Sequence, residues 1–213
     1  MFVKISFFLA YLVALSLGFD DGRDDNIGLI RLPAATKKTS KPIMSPTRKP
    51  STGSPIKPSF TVTSTTFNNN AVLPLSMVGN TSCTGKNISP QLSWSQAPSG
   101  TKSYTLLAYD RTIGRLNWGL YNISVTNLPQ NAGSIGNISK YGTPVLNYLV
   151  SLKYDGPCSP STETHNYVIT VFALSIFLPF LNPNSIVVLL EALQEADSNQ
   201  QVLATASIGG FYH

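Results

Sequence analysis

From residue 60 onward, apolar and polar positions alternate in short runs separated by turn-forming clusters. "FTVTSTTF" (60–67) places Phe60, Val62 and Ser64 on one face, the period-two pattern of a half-buried strand. "SYTLLAYD" (103–110), "NWGLYNISV" (117–125) and "NYVITVFALS" (166–175) are denser in apolar, β-branched and aromatic residues and read as strands nearer a core. The clusters "GNTSCTGKNISP", "APSGTKS", "NLPQNAG" and "KYDGPCSPSTE" supply the turns between them. One segment breaks the rhythm. In "NPNSIVVLLEALQEADSN", Ile186, Leu189, Leu190 and Leu193 recur at helical spacing, Glu191 and Glu195 fall on the other side, and Ser185 stands where an N-cap belongs. "QVLATASIGGFY" (201–212) then alternates again as a closing strand. Several strands, one late helix and no alternating βα units predict a mainly β fold. The expected form is a two-sheet antiparallel β-sandwich with a C-terminal helix over residues 59–213.

The first 58 residues have a different texture. "MFVKISFFLAYLVALSLG" carries one lysine ahead of an apolar run that is short for a membrane span, with Ser16 and Gly18 at signal-peptidase spacing. It reads as a secretory signal peptide over 1–18, against the alternative of an uncleaved anchor, and predicts a secreted or periplasmic protein. Residues 19–58 are rich in Pro, Ser, Thr and Lys, with almost no apolar periodicity. They predict a disordered basic linker, because such a segment buries too little surface to offset its ordering entropy.

Charge follows the same boundary. Between Phe19 and Ser59 the basic residues Arg23, Arg31, Lys37, Lys38, Lys41, Arg48, Lys49 and Lys57 outnumber Asp20, Asp21, Asp24 and Asp25. From Phe60 onward, bases and acids balance. The net charge of +5 therefore belongs to the leader and linker. The folded part lacks an electrostatic footprint for nucleic acid. The linker is left as a spacer or as a contact for anionic surfaces such as lipid headgroups.

Reactive side chains are scarce. Two histidines and two cysteines do not make a zinc site of the usual spacing. There is no glycine-rich phosphate loop followed by Lys-Ser/Thr and no GxSxG elbow. No metal and no cofactor are expected. In an exported chain, an even pair of cysteines favours one disulfide, Cys83–Cys158, with two free thiols as the alternative. Cys158 lies seven residues before His165, so a hydrolase using His165 with Cys158 or Asp110 stays open. Sequons occur at Asn80, Asn87, Asn122 and Asn137 and matter only in a host that glycosylates exported proteins.

Five motifs occur in one order: "NISPQLSW" (87–94), "GTKSYTLLAYD" (100–110), "NWGLYNI" (117–123), "YDGPCSPSTETHNYVITVFAL" (154–174) and "LATASIGGFY" (203–212). Together they resemble the phosphatidylethanolamine-binding protein family, and most closely its bacterial and archaeal Raf-kinase-inhibitor-like branch. The resemblance covers about residues 60–213. It implies a two-sheet β-fold, a small anion-accepting pocket near one end, and a ligand-binding or inhibitory role without enzymatic activity.

Carried over position by position, the resemblance implies a pocket formed by Asp110, Asn117, Gly156, Pro157, His165 and Tyr167. Asn117 stands where the family has histidine, beside Trp118. Arg111 stands where it has proline, which predicts a looser loop after Asp110. His165 and Tyr167, two apart on a strand, share a face. Both can donate to a phosphate-like oxygen, with Asp110 fixing the imidazole tautomer and the Gly-Pro turn allowing close backbone approach. Arg111 or Arg115 could supply further positive charge. Trp94 reads as core. The implied ligand is a small anionic or phosphorylated molecule, a lipid headgroup included. The rival reading is a protein target, a protease or kinase, engaged by the same loops.

Overall fold

The structure, a computed structural model, describes residues 59–134, 140–182 and 184–213. The leader, the linker and Asn137 lie outside the described residues, and no helix among those described is long and apolar enough to cross a membrane. Among the described residues, nine strands and one helix follow in chain order. They are β1 (Thr61–Thr63), β2 (Ala71–Val72), β3 (Leu92–Ser95), β4 (Ser103–Asp110), β5 (Arg115–Ile123), β6 (Asn127–Leu128), β7 (Thr143–Pro144), β8 (His165–Leu174), α1 (Ile186–Ser198) and β9 (Val202–Tyr212).

Two sheets form. A small one has the order β1-β3-β6, and a larger one the order β2-β9-β8-β4-β5-β7. The pairs β5–β4, β4–β8 and β8–β9 are antiparallel. The short β2 pairs parallel with β9.

Strand β4 is buried along its whole length, because the larger sheet is covered on both faces. Pleat alternation divides its residues. Leu106 and Ala108 join Trp94, Trp118, Tyr167 and Ile169 in a core on the small-sheet side. Leu107 and Tyr109 join Phe172, Leu189, Leu190 and Leu193 in a second core under the helix. A strand sandwiched in this way loses the polar-out alternation, so its sequence reads as nearly continuous apolar residues.

The helix forms where its spacing places it. The Ser185 side chain accepts from the Val188 N–H, satisfying one free amide of the first turn. Leu189, Leu190, Leu193 and Ala196 are buried against the sheet. Ile186, expected in that stripe, is only half-buried.

Two expectations shorten. The run 60–67 yields a strand of only three residues, because the chain turns at Ser64. Its Oγ donates to the Gln91 carbonyl at 2.6 Å and accepts from the Thr66 N–H at 3.0 Å. The expected strand 117–125 begins earlier, at Arg115, and ends at Ile123. Near that end Asn122 takes φ 56°, and its amide both donates to the Leu178 carbonyl and accepts from the Leu178 N–H.

Cys83 and Cys158 form the expected disulfide. It ties the loop before β3 to the turn before β8, leaves no thiol at position 158, and so removes the nucleophile of the Cys–His alternative.

Candidate functional site: a histidine between two carboxylates

His165 opens β8 and Asp110 closes β4. The antiparallel register aligns Asp110 with Tyr167, which puts the carboxylate beside the histidine two residues away. Asp110 Oδ2 lies 2.5 Å from His165 Nδ1, and both residues are 2% exposed. The other ring nitrogen, Nε2, lies 3.0 Å from Glu163 Oε2, whose side chain is exposed. The hydrogen bonds from Glu163 and then Asp110 raise the histidine pKa, outweighing the burial that opposes charge. The imidazole is thus held toward its cationic form, with one carboxylate behind it and one in front.

The turn after Asp110 is not loosened by Arg111. Asp110 Oδ1 accepts from the Thr112 N–H at 3.0 Å, and Thr112 Oγ1 accepts from the Asn166 N–H at 2.9 Å. The Arg111 N–H donates to the Asn166 carbonyl at 2.7 Å. Side-chain bonds from Thr112 do the fixing that a proline would do through φ.

The six residues expected to share one pocket are split: one lines an open cleft, three line a separate small space, and Asp110 and Gly156 line neither. His165 lines an open cleft of about 610 Å³, together with Arg115, Cys158, Ser159, Glu163 and His213. Asn117, Pro157 and Tyr167 line a separate, much smaller space of about 20 Å³. The Pro157–Cys158 segment is the partition, with Pro157 facing the small space and Cys158 the cleft. Tyr167 is sealed below it, its hydroxyl accepting from the Cys158 N–H at 3.2 Å. Burial, and next the charge on Asp110, push that phenol well above its ordinary pKa. Its ring stacks near His165, with centroids 6.2 Å apart and planes 27° from parallel.

Asn117 is buried and structural in its contacts. Its Nδ2 donates to the Asp155 carbonyl at 3.0 Å, and its backbone carbonyl accepts from the Asp155 N–H at 3.1 Å. Its Oδ1 has no hydrogen-bond partner among the described residues.

Gly156 is required by a close approach, though of a different neighbour from the ligand expected. A Cβ there would sit 2.0 Å from the Met77 carbonyl oxygen. Its N–H donates to Asn87 Oδ1 at 2.7 Å, so the Asn87 side chain of one sequon is an internal brace. Trp118 and Trp94 are both core residues, packed edge-on against Tyr154 and Tyr104 respectively.

Of the cleft residues, Glu163 is the one that sequence reasoning passes over, while Arg115, considered there as a source of further charge, does line the cleft and Arg111 does not. Glu163 had a visible signal, since it stands two before His165 and so can reach the same face. Arg115 follows the β4–β5 turn, and its guanidinium sits 4.6 Å over the Tyr148 ring.

The comparisons with known proteins bear on the family and the fold. The family model described as phosphatidylethanolamine-binding protein matches residues 63–212. The chain is 37% identical over 101 residues to YbhB of Escherichia coli, covering 43% of this chain and 63% of that protein. It is 31% identical over 154 residues to LppC of Mycobacterium tuberculosis, which is named as a lipoprotein, covering 70% of this chain and 72% of LppC. Among solved structures, it superposes on YbcL of Escherichia coli, a member of the mammalian family by that structure's description. The TM-score is 0.64 with 29% identity, covering 73% of this chain and 99% of the other.

Proposed function

Because the chain belongs to the phosphatidylethanolamine-binding protein family, whose members are generally ligand-binding proteins, we propose that it binds a small phosphorylated or anionic ligand, a phospholipid headgroup included, in the cleft in front of His165. One observation carries this reading. Asp110 grips Nδ1 and leaves Nε2 as the outward donor of a cationic imidazole.

The Glu163 carboxylate, 3.0 Å from Nε2, occupies the place that a ligand oxygen would take. It is an internal anion on an exposed side chain, and an incoming phosphate would displace it. Once released, it offers a partner to an ammonium group. The cleft therefore suits a zwitterion such as phosphoethanolamine better than a bare anion. Arg115, at the cleft wall, adds a second cation for phosphate. No covalent step is part of this role. Among the serines lining the cleft, Ser159 already donates to the Tyr212 carbonyl at 2.8 Å.

We also read the protein as exported. The N-terminal leader pattern, a lipoprotein-named relative and the disulfide, a bond suited to oxidising compartments, support that reading.

Titration calorimetry with phosphoethanolamine and with inorganic phosphate tests the binding proposal. The expected order is tighter binding of phosphoethanolamine, loss of both in His165→Ala, and stronger phosphate binding in Glu163→Gln, where the internal competitor is neutral. The proposal fails if neither ligand binds the wild type, or if His165→Ala leaves binding unchanged.

A further inference from the structure

A second cavity, of about 330 Å³, lies on the other side of the β4–β5 turn, between helix α1 and the larger sheet. Its walls come from Leu107 of β4, Phe172 of β8, and Val187 and Leu190 of the helix. It is therefore a gap left within the helix-side core rather than a groove on a polar surface. Its size falls at the small end of the range for ligand sites. It has room for one chain or ring and not for two acyl chains.

Its polar groups are few. Thr170 lines it, but the hydroxyl is engaged with Ser207 Oγ at 2.9 Å. Tyr109 also lines it, and its buried hydroxyl has no hydrogen-bond partner among the described residues. Arg115 is the only charged residue in the lining. The guanidinium lies over the Tyr148 ring, and the Tyr148 hydroxyl donates to Asp155 Oδ2 at 2.5 Å. Burial, and next that bond, push the phenol up to about 12, so it stays neutral beside the cation. The rim is apolar. Ile113 is 48% exposed, and next to Tyr148 in the chain Leu149 and Val150 are 48% and 76% exposed. Their loop is pinned from within: Asn147 Oδ1 accepts from the N–H groups of Leu149 and Ser151. Surface that is both apolar and rigidly displayed beside a cavity is the pattern of a recognition site.

We propose that this cavity is a binding site separate from the cleft, for a single-chain anionic amphiphile whose apolar part fills the space beneath α1 and whose head pairs with Arg115. Charge complementarity selects the head group. A cationic amphiphile would meet the guanidinium, and a neutral one would gain only the apolar contact.

Calorimetric titration with decanoate, decanol and decyltrimethylammonium tests this below their micelle concentrations. Decanoate should bind the wild type about tenfold more tightly than decanol, and the ammonium should bind more weakly still. Arg115→Gln should erase the preference for decanoate. Val187→Phe, which narrows the cavity, should weaken both decanoate and decanol. Ile113→Asp, at an exposed rim position, should weaken decanoate selectively without disturbing the core. Arg115 also faces the cleft, so His165→Gln separates the two sites: decanoate binding should persist there. The proposal is overturned if decanoate does not bind, if Arg115→Gln keeps the preference, or if His165→Gln abolishes decanoate binding.

Discussion

Asp110 and His165 stand at the same end of two neighbouring strands, and their side chains meet with 2.5 Å between Oδ2 and Nδ1. The contact spans 55 residues of sequence and is fixed by backbone register rather than by a local turn. Its chemical effect, together with that of Glu163, is to favour the protonated form of a buried ring whose other nitrogen, Nε2, faces the cleft.

Removing the rear carboxylate should release that proton. In Asp110→Asn, the His165 pKa is expected to move down, since the second of its two raising hydrogen bonds becomes neutral. Phosphoethanolamine binding should weaken by about tenfold at neutral pH, the difference between a charge-assisted and a neutral bond. Proton NMR titration of the imidazole, with calorimetry of the same variant, checks both. An unchanged His165 titration curve would contradict the assignment.

The histidine also sets a direction for stability against pH. Its folded pKa is raised above the unfolded value of about 6.5. Its stabilising contribution is complete below the unfolded value and is lost as pH rises through the folded one. The gap in thermal midpoint between wild type and His165→Gln should therefore shrink from mildly acidic to alkaline pH. A gap that stays constant, or widens, would rule out the raised pKa.

The disulfide closes a separation of 75 residues. In the chain-entropy account this is worth about 4 kcal/mol. Cys83→Ser with Cys158→Ser should lower urea stability by roughly that amount. It should also weaken phosphoethanolamine binding, because Cys158 forms both cleft wall and partition. Retention of full stability would mean that the loops hold together without the bond.

Two glycine substitutions should separate contact from conformation. Gly156→Ala puts a methyl group 2.0 Å from the Met77 carbonyl oxygen and is expected to destabilise by about 2–3 kcal/mol. Gly100 has no atom within 4 Å of its would-be Cβ but stands at φ +90°. Gly100→Ala should therefore cost only about 1–2 kcal/mol, through backbone strain alone. Chemical denaturation of both variants compares the two effects, and equal losses would remove the distinction.

Long-range order was legible in the sequence where a pattern repeats. The helix announces itself by periodicity, its Ser185 cap by residue type and place, and the buried run 166–174 by its density of β-branched and aromatic residues; the pairing of Cys83 with Cys158 was one of two readings, beside two free thiols. Strands β2, β6 and β7, two residues each, do not, since their partners define them and no periodicity can show in two residues. The site was legible as a set of residue types and not as a shape. His165 and Asp110 meet as expected. Yet Asn117 and Tyr167 fall behind the Pro157–Cys158 partition, because a turn's path over a sheet end depends on contacts such as Gly156 against Met77 rather than on alternation. Glu163 was in view beside His165, but its closing of the ring's front face depends on how the loop before β8 approaches the strand.

Strand β9 carries a consequence for the order of assembly. It lies between β8 and β2, and Gly209 donates to Asn69 Oδ1 across 140 residues of sequence. During synthesis, the N–H groups of Asn70 and Leu73 must wait for the carbonyls of Gly209 and Phe211 before they find their partners. Such remote closure is slow, and until then the β8 edge is open to pairing with another chain. Cys83 and Cys158 both emerge well before that step, so a bond formed between them on the way holds the two halves near each other while the last strand is still to come.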